Sequence, residues 1–190
     1  MIKQIKKRFL RAIRYIKESR NYIYVIISLF VISIILGYLN ASKLGMLDEI
    51  IKGLLESTKD LSGPSLIGFI FLNNIQSAFY GFIFGVVLGI FPIFNALING
   101  VLIGYVMEKA VTSVGILQTL KLLPHGIFEL PAIFISLGLG LRMGLFIFTK
   151  NKTKELRRSF LEGLNTFFLI VLPLLIIAAI IEGLLIALLK

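Results

Sequence analysis

The stretch LLPHGIFELPAIFISLGLGLRMG, residues 122–144, decides how this chain is read. It is apolar enough to lie in a membrane and long enough to cross one, since about 20 residues span a hydrocarbon layer of ~30 Å. Yet it carries His125 and Glu129, four positions apart and therefore on one face of a helix. Pro124 stands just before them, where the first turn of a helix tolerates a missing N–H. Downstream, Ser136, Gly140 and Gly144 recur every four residues, the small-residue spacing that lets membrane helices approach closely. An ionisable pair at one end and a flat packing face at the other make this helix the expected centre of a bundle.

The rest of the chain agrees. Its residues are 57% hydrophobic and 16% charged, with a mean hydropathy of +0.95; soluble domains carry roughly 25% charge. This is the composition of an integral membrane protein, and 190 residues leave room for about five spans and no separate soluble domain. The net charge of +10 sits beside apolar spans, which reads as topology and headgroup contact rather than nucleic-acid binding. With no cysteine, disulfides, thiol catalysis and Cys-ligated metal are excluded. The basic N-terminal run followed by a span-length apolar run reads as an uncleaved N-terminus.

The expected class is all-α, a polytopic membrane bundle of about five spans with amphipathic helices at its interfaces. Residues 1–21 hold eight Lys/Arg in their first twenty positions. Ile2, Ile5, Phe9, Ile13 and Ile16 form one stripe. This predicts a basic helix on the cytoplasmic surface, near anionic lipid. Residues 22–190 form the transmembrane domain, with spans at about 22–39, 66–90, 95–111, 121–144 and 161–185. A second amphipathic helix at 44–59 sets Leu44, Leu47, Ile51, Leu54 and Leu55 against Asp48, Glu49, Lys52 and Glu56. Its apolar face needs the membrane surface, the bundle or a protein partner on the outer side to cover it.

Within the spans, Gly81, Gly85 and Gly89 share a face, as do Gly100 and Gly104. Both are packing signals, and one of them is a candidate homodimer face. Pro92 is expected to end the second span, Asn95 to cap the third, and Pro173 to bend the fifth. Residues 1–20 and 142–158 hold fourteen of the twenty Lys/Arg. The positive-inside rule then puts the N-terminus in the cytoplasm and the C-terminus outside.

That topology gathers Asn73, Asn74, Gln76, His125, Glu129 and Glu182 in the outer half of the membrane. A bare charge there costs at least ~2.5 kcal/mol, so Glu129 should be protonated, paired or hydrated. Three readings stand: polar side chains that lock helices together by hydrogen bonds, a proton- or ion-coupled pathway, and a metal or hydrolase site. One histidine, no H-E-x-x-H and no Ser–His pairing speak against the last. No catalytic residue, metal ligand or cofactor is assigned.

The residues PHGIFELPAIFISLGLGLRMG at 124–144 and FLNNIQSAFYGFIFGVVLGIFPIFNALINGVLIG at 71–104 resemble the stage II sporulation protein M family. The resemblance runs over roughly residues 65–186, and its most specific part is the P-H-G-x-x-E-L core of Pro124, His125, Gly126 and Glu129. It implies a prokaryotic plasma-membrane protein of about five spans. The sporulation member is a scaffold that helps place cell-wall hydrolases; many relatives have no assigned role. The resulting expectation is a non-enzymatic membrane scaffold or membrane-shaping protein working through partner proteins or lipid. The alternative is a small transporter or channel built on His125 and Glu129.

Overall fold

In the computed structural model, residues 2–59, 61, 64–120 and 126–188 are described, and every regular element among them is helical. They are α1 (Ile2–Glu18), α2 (Arg20–Leu39), α3 (Leu47–Lys59), α4 (Pro64–Ile83), α5 (Ile90–Val114), α6 (Ile116–Leu120), α7 (Gly126–Gly144), α8 (Lys152–Thr166) and α9 (Leu172–Leu188). A 3-10 turn at Phe84–Val86 extends α4, and a π turn at Phe167–Val171 joins α8 to α9. Five segments are long and apolar enough to cross a membrane: Arg20–Leu39, Pro64–Val86, Ile90–Val114, Phe128–Phe148 and Lys152–Ile181.

The second ends at Val86 rather than 90, and three more differ from their expected bounds. The third span starts at Ile90 rather than 95, because the break falls at Leu88 and Gly89, with φ of 56° and 69°. Glycine takes this left-handed conformation freely, and leucine rarely does. Pro92 is then the third residue of α5, where its missing N–H has no helical partner to lose. It neither ends the second span nor precedes a cap at Asn95. The fourth runs over Phe128–Phe148, and residues 121–125 of its expected start lie outside the described residues. The fifth starts at Lys152, since α8 enters it without interruption. Its 30 residues measure about 45 Å at 1.5 Å per residue, longer than ~30 Å of hydrocarbon, so its basic first third stands clear of the apolar layer. The expected distortion near Pro173 is the π turn immediately before it. The proline ring would collide with the carbonyl four residues back, and a wider turn relieves that.

All three apolar cores contain α7. Leu137 and Leu141 pack with Ile26 and Phe30 of α2 and Ala96 of α5. Ala132 packs with Ala78 of α4 and with Phe167, Val171 and Leu175. Leu139 and Met143 pack with Phe82 of α4 and Tyr15 of α1. Half of the fourth span is buried, against 17–28% of each of the others, so the other helices surround α7. α2 and α5 run the same way: Gly100 lies against Phe30 and Ser33, Gly104 against Ile34 and Tyr38. α4 and α7 also run together, opposite to that pair: Ala78 meets Ser136, and Gly85 meets Gly140. The fifth span antiparallels α4, with Gly163 against Phe82 and Phe167 against Phe79.

Candidate functional site at the charged end of the bundle

The polar residues singled out in the sequence do not share one fate. Pro124 and His125 lie outside the described residues, as does the Glu182 side chain. Glu129 is half-buried in the first turn of α7, where a carboxylate favours the helix N-terminus. Gly126 opens α7; a Cβ there would meet the Leu130 side chain at 3.5 Å, an ordinary contact. On α4, Asn73 and Gln76 are exposed and Asn74 is half-buried. The hydrogen-bonded amides sit on α5 and meet α4 at Ser77. Asn95 Nδ2 donates to Ser77 Oγ at 3.0 Å, and Asn99 Nδ2 donates to the Asn95 backbone carbonyl at 2.8 Å. Asn95, expected as a cap, is therefore an interior tie between α4 and α5.

The small-residue faces are spent inside the chain. A Cβ on Gly85 would strike the Gly140 backbone, one on Gly140 the Gly81 carbonyl, one on Gly144 the Gly85 and Gly89 backbone, and one on Gly81 the Leu137 side chain. Gly100 and Gly104 hold the α2 backbone in the same way. Ser136 closes the α4–α7 contact by donating from Oγ to the Ala78 carbonyl at 2.7 Å. A second copy docking on either face would have to displace α2, α4 or α7.

On the expected outer side, α3 is tied to the bundle by the fully buried Tyr105, whose hydroxyl donates to Asp48 Oδ1 at 2.5 Å. Asp48 thus points inward, not away with Glu49, Lys52 and Glu56, because a buried phenol needs an acceptor.

The densest polar arrangement lies at the opposite end, where the last turn of α7 meets α1 and α8. Arg142 is only 11% exposed at its side chain. It lies 4.5 Å over the Tyr15 ring, donates to Ser19 Oγ at 2.9 Å, and faces Glu18 at 3.7 Å and Glu155 at 3.5 Å. Arg158 Nη2 reaches Glu18 at 2.6 Å. Arg11 Nε donates to Glu162 Oε1 at 2.6 Å, and Arg8 Nε to Asn165 Oδ1 at 3.0 Å. A cation closing the C-terminal end of α7 also offsets its partial negative charge. Burial pushes the Tyr15 phenol above its ordinary value, with Ser159 and the Arg142 charge opposing.

These contacts change the reading of the N-terminal helix. Ala12, Tyr15 and Ser19 face the bundle, so the C-terminal half of α1 is docked on α8. Ile5 and Phe9, 53% and 44% exposed, stay open together with Leu10. The apolar stripe is split between protein and surroundings. Sequence periodicity finds α1 and its charge but not these partners. Glu18, Arg142 and Glu155 meet only through folding, and the signal that could have marked them was a lone arginine closing an apolar helix.

Buried on one helix, sealed by glycine crossings and charged at one end, the molecule is a polytopic all-helical membrane protein. The family model for stage II sporulation protein M matches residues 26–185, most of the chain. The chain belongs to that family. No curated protein and no solved structure matches it.

Proposed function

We propose that this protein is a non-enzymatic membrane scaffold or membrane-shaping protein of the plasma membrane. Its N-terminus is cytoplasmic and its C-terminus outside, and it acts through lipid or partner proteins. The observation that supports this is the way its inner half is filled. Where a pathway would have to run between α4 and α7, the two backbones touch at Gly81, Gly85, Gly140 and Gly144, and Leu137, Leu139 and Met143 are buried against them. Close-packed interiors leave few voids wide enough for water. Apolar side chains meanwhile point outward from a basic helix at Ile5, Phe9 and Leu10, an arrangement suited to the lipid interface. The fourteen Lys/Arg of residues 1–20 and 142–158 favour the cytoplasmic side for that end.

Reconstitution tests this directly. Vesicles containing the full chain, loaded with proton- and cation-sensitive dyes, should leak no faster than protein-free vesicles. Their shape, imaged by electron cryomicroscopy, should depart from spherical as protein density rises. A flux that the protein carries and Glu129→Gln abolishes would replace the scaffold with a transporter.

A further inference from the structure

Beside the ion-paired seam lies an open cavity of about 890 Å3, walled by α1, the α7–α8 connection and α8. Its charges do not balance. Of its cations, Arg11 is engaged by Glu162, and Arg158 by Glu18 and Glu155. Lys150, Lys154 and Arg157 also line it and make no ion pair among the described residues. Three uncompensated cations in one concavity call for an anion. The first turn of α8 opens into the same space, and Asn151 before it makes no side-chain cap.

A second cavity decides what carries that anion. An apolar groove of about 400 Å3 runs along the other flank of α8, between Ile83 at the end of α4, Val86 just after it, Met143 of α7, and Leu156 and Phe160. Thr153 and Arg157 line both cavities. A basic cavity and an apolar groove thus meet at shared residues in the first two turns of α8. A free phosphate would use only the first. An amphiphile uses both, with its charge among Lys150, Lys154 and Arg157 and its chain along Phe160 and Met143.

We propose that this paired cavity is a binding site for one phosphate-bearing anionic lipid. It is distinct from the exposed basic face of α1, and Arg157 contacts the phosphate at the junction. The proposal rests on the membrane reading for its setting and not on the scaffold reading, which the flux assay tests separately.

Native mass spectrometry of the full chain in detergent, with phosphatidylglycerol or phosphatidylcholine added, tests the site. One phosphatidylglycerol should be retained in preference to phosphatidylcholine. Replacing Lys150, Lys154 and Arg157 together by Gln should weaken that retention on the order of a hundredfold. Replacing Lys3, Lys6 and Lys7 by Gln removes the same charge from α1 and should change it by no more than about threefold, since screening confines such effects to about a Debye length. Equal losses in the two triple variants would reduce the site to general surface charge and overturn the proposal. So would inorganic phosphate or glycerol phosphate displacing the lipid at comparable concentration, which would assign the cavity to a soluble anion. If the first triple variant lowers the thermal midpoint, Arg157→Gln alone serves in its place, and full retention by it would also overturn the assignment.

Discussion

Arg142 shows how one side chain sets the end of this bundle. It touches Tyr15, Ser19, Glu18 and Glu155 at once, so it joins α7 to α1, to the start of α2 and to α8. Removing it leaves Glu18 and Glu155 with Arg158 as their remaining cation among the described residues. Both are partly exposed, which discounts the full cost of a broken buried pair. Arg142→Met, which keeps the volume and loses the charge, should destabilise the protein by about 2 kcal/mol, read as a lower denaturant midpoint in detergent. Arg142→Lys should recover only part of this, because an ammonium lacks the planar fork that serves several partners and lies flat on a ring. Full stability in Arg142→Met would mean that the seam does not hold α1.

Among elements, the α4–α7 crossing sets backbone against backbone at Gly85, Gly140 and Gly144. Gly85→Leu should cost about 3 kcal/mol or more, because overpacking cannot relax where the obstacle is backbone. Gly53 of α3 has nothing within 4 Å of its Cβ position. Gly53→Ala there should be neutral or stabilise by up to ~1 kcal/mol through helix propensity. If the two variants melt alike, the crossing is not a structural joint. Both glycines look the same in sequence, and only the spacing of Gly81, Gly85 and Gly89 marks one set as a face. Spacing could not say whether that face meets another helix of its own chain or a second copy. It also could not place the break at Leu88 and Gly89, since Pro92 carries the stronger local signal for a helix end.

For the whole molecule, the proposed topology of five alternating spans puts the two ends of the chain on opposite sides of a bilayer. A protease-accessible tag after residue 1 should be protected in sealed cells while one after residue 190 is cleaved. Finding both on one side would break the five-span arrangement. The number of spans and the centrality of α7 were legible from sequence. Each rests on composition or period: apolar runs longer than about 20 residues and small residues every fourth position. Those properties act locally along the chain and need no knowledge of what packs against what.

The pairings were a different matter. Ser77 with Asn95, Tyr105 with Asp48 and Arg142 with Glu18 are separated by 18, 57 and 124 positions, and no periodicity links residues so far apart. The same holds for the two cavities that meet at Arg157, since α1, α7 and α8 contribute to them together only after the bundle closes. Sequence by itself determined that this chain lives in a membrane as helices, because burying backbone in lipid permits little else. Which polar groups satisfy one another, and where the charge is left over, was decided by the packing of α4, α5 and α8 around α7.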